Sequence, residues 1–174
     1  MRICVSALSA IFVALLVASP TFGEVQELLD FEIKDQFENV HRGSDVAGSI
    51  VVLIGADRAG SQFTQAWSKA VRDALSGHPR YVEIAHLAHA DLRGAPFFIK
   101  GFLRGKFPQD PDRWTLMDWK GVIPKAYDFA SKSANVLVFA PDGALVHHAS
   151  GREPDDEAVR GLVMALRELL DESR

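Results

Sequence analysis

The stretch IVVLIGADRAGSQF at residues 50–63 joins an apolar run to a polar loop that contains glycine. Residues 50–54 are all apolar and mostly β-branched, which is typical of a strand covered on both faces of its sheet. The loop at 57–61 leads into a segment whose apolar residues recur with a helical period. A buried strand that passes through a loop into a helix opens a strand–helix–strand unit, so this stretch predicts an α/β fold.

The segment after the loop predicts an amphipathic helix that ends at residues 77–79 (GHP). Ser61 is a candidate N-cap for it, because a serine side chain can accept a hydrogen bond from a free N–H of the first helical turn. The apolar stripe of this helix consists of Phe63, Ala66, Trp67, Ala70, Val71, Ala74 and Leu75.

Further strands and helices alternate along the rest of the chain. A short helix is predicted after Pro96, and its apolar residues Phe98, Ile99, Phe102 and Leu103 are expected to face inward. A final helix is predicted from residue 154, with acidic residues at its positive end. Strands are predicted at 81–87, 114–119, 136–139 and 144–149, the last two joined by the PDG turn at 141–143, with a short helical piece near 125–129.

Residues 31–41 predict a β-hairpin or an edge strand with a polar turn upstream of this alternating pattern. Strand–helix–strand units imply right-handed parallel crossovers. The terminal hairpin and the last helix complete a mixed sheet. The predicted fold is therefore α/β, with a mixed β-sheet flanked by helices on both faces and an N-terminal hairpin extension.

The composition of the 174-residue chain excludes several classes of protein. Hydrophobic residues make up 48% of it, and 19 Lys and Arg stand against 23 Asp and Glu, for a net charge of −4. This balance is globular and excludes a disordered or fibrous chain. The mild acidity argues against a nucleic-acid partner, because a phosphate-binding face normally needs clustered positive charge. The single cysteine, Cys4, excludes a disulfide framework and a cysteine-built metal site.

Residues 1–23 have the three-part pattern of a cleaved signal peptide. Arg2 precedes an uncharged run at 3–18, and the small residues Thr21 and Gly23 stand before a cut ahead of Glu24. A transmembrane anchor is the alternative, but the run is shorter than the roughly 20 residues that a bilayer span needs. The sequence thus predicts a single domain at 24–174 that is exported to the periplasm or the exterior, contains no cysteine and has no membrane span after cleavage.

The order of predicted elements resembles the thioredoxin-like fold over about residues 28–171. In thioredoxins the first buried strand runs into a loop with two cysteines that opens the long helix, and here Ala59 and Gln62 occupy those positions. A second landmark of that fold, a cis-proline before the PDG turn, corresponds to Ala134. The resemblance is closer to the exported YtfJ-type branch, on residues 51–53 (VVL), 119–122 (WKGV) and 135–143 (NVLVFAPDG). That branch has no assigned activity, so the resemblance implies a fold and a compartment rather than a reaction.

The absence of cysteine, and so of any thiol, from residues 24–174 decides one question of chemistry. Disulfide exchange requires a thiolate that attacks sulfur, and a serine hydroxyl such as that of Ser61 cannot cycle between oxidised and reduced states. The sequence therefore excludes a thiol oxidoreductase or a cysteine peroxidase.

The loop before the first long helix is the candidate ligand or partner face. A helix N-terminus offers free N–H groups and partial positive charge, so together with Arg58 it suits an anion or a partner's carboxylate. The plainer interpretation is a solvated loop with a helix cap. We predict a protein- or ligand-binding module of unknown specificity, and its candidate residues are Asp57, Arg58, Ala59, Ser61, Gln62 and Ala134.

An alternative function rests on His86 and His89, which form an H-x-x-H pattern followed by Asp91. Two imidazoles and a carboxylate are ligands that first-row metals prefer, although the spacing is loose and surface histidines are common. The alternative is a metal-binding protein or a non-thiol enzyme that uses His86, His89 and the 57–61 loop. The chain contains no P-loop, no G-x-G-x-x-G and no G-x-S-x-G.

Residues 101–107 (GFLRGKF) mix basic and aromatic side chains. A helix with an apolar face toward the core is the simpler interpretation of this segment. A patch for a protein partner or for anionic lipid is the alternative. Trp114 and Trp119 flank a polar loop, where they either line a recognition groove or, in the simpler interpretation, pack beneath that loop.

Overall fold

A computed structural model of the chain describes residues 26–172, so the predicted signal peptide lies outside the described residues. The helices are α1 (Thr64–Leu75), α2 (Lys100–Arg104), α3 (Val122–Ala126) and α4 (Asp156–Glu172). The strands are β1 (Glu32–Lys34), β2 (Val40–Arg42), β3 (Ile50–Ala56), β4 (Ile84–Asp91), β5 (Leu116–Asp118), β6 (Ala134–Phe139) and β7 (Leu145–Gly151).

Five of these strands form one mixed sheet in the order β5-β4-β3-β6-β7. The central strand β3 is parallel to β4, with Val52 opposite His86, and antiparallel to β6, with Val52 opposite Val138. β5 extends the sheet in parallel beside the end of β4, and β7 pairs antiparallel with β6. β1 and β2 form a separate antiparallel hairpin. The predicted mixed sheet and N-terminal hairpin are confirmed.

The two faces of this sheet carry two apolar layers. Every residue of β3 is buried, as the apolar run predicted. On one face, Trp67 and Val71 of α1 and Leu166 of α4 pack on Val52 and its neighbours. On the other face the hairpin and α3 cover the sheet, where Phe31, Ile33, Ile123 and Tyr127 surround Val51 and Leu53. Burying a large apolar side chain contributes about 1.5–3 kcal/mol, so both layers are needed for a stable fold.

Two polar residues of the N-terminal hairpin turn, Asp35 and Gln36, are buried. The Asp35 carboxylate accepts hydrogen bonds from the backbone of Phe37 and Asn39, and it lies 2.9 Å from Nε2 of His41. The pKa of Asp35 is lowered, because these hydrogen bonds outweigh burial, which alone would raise it. The His41 ring in turn stacks on Trp114 at 3.8 Å between ring centroids.

Gln36 ties this hairpin to the segment at 107–115. Its Nε2 donates to the carbonyl oxygens of Pro108 (2.9 Å) and Arg113 (3.1 Å), and its Oε1 accepts the Thr115 N–H (2.8 Å). Because Gln36 is buried, these backbone groups would have to find other partners if its side chain were removed.

Several boundaries differ from the sequence predictions. Tyr81–Glu83 forms a 3₁₀ turn, so β4 begins later than predicted and extends through residue 91. The helix expected near 125–129 is α3, which begins earlier. The expectation that Phe98 and Phe102 face inward is wrong: they are 80% and 65% exposed. The segment formed by Phe97–Ile99 and α2 is too short to bury more than one stripe, and that stripe is formed by Ile99 and Leu103.

Between residues 26 and 172, no helix combines the length and apolar character that crossing a bilayer requires.

We expect the substitution Gln36→Leu to lower the free energy of unfolding by about 2–4 kcal/mol, because it removes three hydrogen bonds to buried or part-buried backbone groups. Urea denaturation measures this change. Gln62→Leu is the matched control, since Gln62 is exposed and makes only a local hydrogen bond to the Ala59 carbonyl. Equal effects of the two substitutions would contradict the proposed anchoring role of Gln36.

Candidate functional site

An aspartate stands at the carboxyl end of each of the three parallel strands. Asp57 directly follows β3, Asp91 ends β4 and Asp118 ends β5. Each carboxylate accepts a backbone N–H two or three residues further along, at 2.7 Å, 3.0 Å and 3.2 Å respectively. These local hydrogen bonds mimic a backbone turn, so the three acids redirect the chain at this edge of the sheet.

Asp57 also joins two separate loops at this edge. One of its carboxylate oxygens accepts the Gly60 N–H at 2.7 Å and the other accepts the Lys132 N–H at 2.9 Å. Gly60 is packed so closely that a Cβ there would lie 2.3 Å from the carbonyl oxygen of Ser133. Ala134 follows in β6 and is fully buried opposite Ala56. The 57–62 loop is therefore fixed against the segment that precedes β6.

The start of α1 does not have the cap predicted from sequence. The Ser61 hydroxyl donates to the Arg58 carbonyl at 2.9 Å, and Ser61–Phe63 forms a 3₁₀ turn ahead of the helix. The Ser61 N–H is bonded to the Asp57 carbonyl, and the carboxylate of Asp57 holds the Gly60 N–H. The chain's own carboxylate thus occupies the position at which an external anion was expected.

The remaining loop residues present side chains to solvent. Arg58, Ala59, Ser61 and Gln62 are exposed, and the Gln62 amide donates to the Ala59 carbonyl at 3.0 Å. Of the predicted loop candidates, Asp57, Arg58 and Ser61 line a neighbouring pocket. Ala134, in contrast, is inaccessible, because it is fully buried.

The structure does not bring His86 and His89 together. Both lie within β4, where residues three apart point to opposite faces of the sheet. His86 is open to solvent beside Tyr81, with 5.3 Å between ring centroids. His89 is buried on the other face, where its Nε2 lies 3.3 Å from a carboxylate oxygen of Asp118. Among residues 26–172, no three His, Cys, Asp or Glu side chains form a group able to hold a metal ion.

His89 and Asp118 form a buried pair between β4 and β5. Burial alone would raise the pKa of Asp118, but the hydrogen bonds from His89 and from the backbone of Val122 and Ile123 outweigh it and lower that pKa. The imidazole fits because residue 55 is glycine: a Cβ there would lie 2.6 Å from Nδ1 of His89. The pair is part of the packing beneath the sheet rather than an open site.

A pocket of about 1020 Å³ opens on the face of the sheet that carries α1. It exists because α1 packs on β3 and β6 and because two of the β4 residues on this face, Ala88 and Ala90, are small. The 57–62 loop stands at the same site, and Ile99 and Leu103 contribute from the segment around α2. The floor of the pocket is thus the sheet face of β4, and its walls are α1 and the segment at 95–108.

The charges around this pocket favour an anion, although the whole chain is acidic. Five cationic side chains and three acidic ones line it. Asp57 already holds backbone N–H groups, and the ion pair of Asp91 with Arg93 removes one charge of each sign, so the other four cations exceed the remaining acid, Asp112. The pKa of His86 is lowered by partial desolvation of its ring and by the nearby charge of Arg72, so His86 is neutral at neutral pH. The cations that line the pocket are Arg58, Arg72, Arg93, Lys106 and Arg113.

Comparison with known proteins identifies the architecture. No protein-family model matches the chain, and no curated protein is similar to it in sequence. The pneumococcal exposed lipoprotein thioredoxin from Streptococcus pneumoniae superposes with a TM-score of 0.56 at 19% identity, over 81% of this chain and 100% of that one. This protein has a thioredoxin-like fold.

Two further solved structures agree with this thioredoxin-like fold. A secreted disulfide oxidoreductase of Mycobacterium tuberculosis superposes with a TM-score of 0.51 at 16% identity, over 80% of this chain and 96% of that one. A SCO1/SenC family lipoprotein of Bacillus anthracis gives a TM-score of 0.58 at 12% identity, over 83% and 95%. Within the described residues this thioredoxin-like chain has no cysteine, because its single cysteine is at position 4.

The sequence did not predict the pocket, nor the role of Gln36 in anchoring the segment at 107–115. One signal for the pocket was present in the sequence. Ala88 and Ala90 stand two residues apart, on one face of a strand, where a covered face usually carries larger residues. No local pattern marks Gln36, because its partners are more than 70 residues away.

We expect Gly60→Ala to lower the free energy of unfolding by about 1–3 kcal/mol, because the added methyl group must displace the Ser133 backbone. Gly77→Ala is the control, since a Cβ at Gly77 has nothing within 4 Å. Thermal and urea unfolding of the two variants compare them directly. A neutral Gly60→Ala would show that the two loops are not held together as described.

We expect the contribution of Asp118 to stability to be lost in acid. Its folded pKa is lowered, so the contribution is present above the unfolded value near pH 4 and disappears as the pH falls through the folded value. The free energy of unfolding of the wild type and of Asp118→Asn, measured from neutral pH downward, should therefore converge at low pH. A difference that stays constant with pH would contradict this assignment.

Proposed function

We propose that this chain is an exported, thioredoxin-fold binding module that works without thiol redox chemistry and holds its ligand in the pocket between α1, β4 and residues 95–108. The observation that carries this proposal is the pocket itself, which lies beside the 57–62 loop and combines apolar and cationic lining. Concave sites with a mostly apolar lining and a few polar groups are the usual form of small-molecule sites. The shape therefore favours a small ligand over a flat protein interface.

The lining supports a ligand with an apolar body and an anionic group. Ile99 and Leu103, which are half-buried, offer apolar surface to the pocket, and the core residues Ile54 and Val71 lie in its wall. Burial of apolar area is the main favourable term in such binding. Arg58 and other cationic side chains of the pocket would attract a carboxylate or a phosphate. A long-chain carboxylate satisfies both requirements and is the ligand class that we propose.

The 57–62 loop supports binding rather than electron transfer. Ala59 and Gln62 offer no thiolate, and the Ser61 hydroxyl is bonded to the Arg58 carbonyl. Asp57 fixes the loop through two backbone N–H groups. Arg58 and its exposed neighbours can contact a ligand, and the guanidinium of Arg58 would recognise a negative charge on it.

The proposed location rests on the N-terminal sequence. The signal pattern at residues 1–23 supports export, and the fold is shared with a pneumococcal exposed lipoprotein and with a secreted mycobacterial protein. Membership of the YtfJ-type branch is proposed on the WKGV motif at 119–122 and the NVLVFAPDG motif at 135–143. The second motif supplies β6 and the turn into β7.

A metal-binding protein or a non-thiol enzyme remains a second proposal with less support. Of its two histidines, His86 opens to solvent at the pocket, whereas the ring of His89 is buried against Asp118. A metal site there would have to recruit ligands other than this pair.

Binding of cis-parinaric acid, a fluorescent long-chain carboxylate, tests the proposed function. We expect the purified wild type to bind it, and Ala88→Trp to weaken binding at least about tenfold, because the indole fills the pocket over β4. Val82→Trp is the control, since Val82 is 88% exposed and does not line the pocket.

Arg58→Ala and Arg72→Ala test the charge separately. We expect them to weaken binding of the free acid and to leave binding of its methyl ester unchanged, because the ester carries no charge. Failure of the wild type to bind either probe, or equal binding by Ala88→Trp with an unchanged melting temperature, would contradict the proposal.

A further inference from the structure

The segment that flanks the pocket at Phe97–Ile99 and α2 carries apolar side chains on two faces. Ile99 and Leu103 line the pocket. Phe98 and Phe102 are 80% and 65% exposed to solvent. We call Phe98, Phe102 and the neighbouring Lys106 the outer face of this segment. Two large aromatic rings in solvent on one short segment need an explanation, because they do not contribute to the core.

The charge of the surrounding sequence is entirely positive. Residues 93–109 (RGAPFFIKGFLRGKFPQ) carry four cationic side chains and no Asp or Glu, in a chain whose net charge is −4. Arg93 and Arg104 pair with Asp91 and Glu38. Neither Lys100 nor Lys106 pairs with a carboxylate within residues 26–172.

The free lysines lie against aromatic rings. The Lys106 ammonium is 4.7 Å from the centroid of the exposed Phe102 ring, and that of Lys100 is 4.8 Å from the Trp119 ring. A lysine beside an exposed phenylalanine can keep its charge among lipid headgroups while the ring enters the boundary with the acyl chains. This combination of exposed aromatic rings and unpaired cations is the chemistry of peripheral membrane binding.

We propose that the outer face docks this protein on the surface of a bilayer that contains anionic lipids. Charge complementarity favours this occupant, because unpaired lysines are attracted to anionic headgroups. A bilayer also accepts the two rings without a matching recess, which a protein partner would have to supply. The proposal does not depend on the ligand of the pocket, since Phe98 and Phe102 do not line the pocket, although the neighbouring Lys106 does.

Co-sedimentation of the purified protein with lipid vesicles tests the proposal. We expect binding to vesicles of phosphatidylglycerol mixed with phosphatidylcholine, weaker binding at high salt and little binding to phosphatidylcholine alone. The double substitution Phe98→Ser and Phe102→Ser should lower the partition coefficient at least about tenfold. Met164→Ser is the matched control, because Met164 is 64% exposed on α4, far along the chain from the outer face.

Charge variants separate the electrostatic contribution. Lys100→Gln with Lys106→Gln should reduce binding to the anionic vesicles and flatten its salt dependence. The melting temperature and cis-parinaric acid binding of the phenylalanine variant show whether its fold and pocket are intact.

Two results would overturn the proposal. The first is wild-type protein that does not bind anionic vesicles, or that binds them as well without the two phenylalanines. The second is capture of an exported protein that depends on Phe98 and Phe102 while vesicles are not bound, which would make the outer face a protein interface.

Discussion

The carboxylate of Asp57 joins the loop before α1 to the loop before β6 through the N–H groups of Gly60 and Lys132. The two loops also touch at Gly60, whose backbone lies so close to the Ser133 backbone that no side chain would fit between them. In consequence the loop that follows β3 is a polar turn held by the chain's own carboxylate. This turn directly precedes α1, so it sets where α1 begins on the sheet and thereby where the pocket lies.

The placement of α1 leaves the later part of β4 uncovered on this face of the sheet. Trp67 is fully buried, and its indole N–H donates to the Gly151 carbonyl at the end of β7, so α1 is held toward the β6–β7 side of the sheet. The opposite side, over β4, is left to a short irregular segment and two alanines. A helix displaced toward one half of a sheet creates a cavity over the other half, and here the cavity lies beside exposed Arg58.

The elements that local patterns specify were predictable from the sequence. The all-apolar run of β3, the stripe of α1 and the PDG turn each carry a signal within a few residues. The outward direction of Phe98 and Phe102 and the anchoring role of Gln36 carry none, because each depends on residues distant in the chain. Tyr81–Glu83 has the composition of a strand, but the 3₁₀ turn there is accompanied by hydrogen bonds between Arg80 and Glu83. Conformational preference thus located most elements, whereas the side that each presents to the core was decided by tertiary contacts.

The three tryptophans of the chain stand at three separate junctions. Trp67 reports on the seating of α1 against β7, Trp114 lies on the His41 ring of the hairpin, and Trp119 lies beneath the Lys100 ammonium. Each indole therefore has a different kind of neighbour: a backbone carbonyl for Trp67, an imidazole ring for Trp114 and an ammonium group for Trp119. Single-tryptophan versions of this protein would give intrinsic fluorescence that resolves the opening of each junction by itself, without an attached dye.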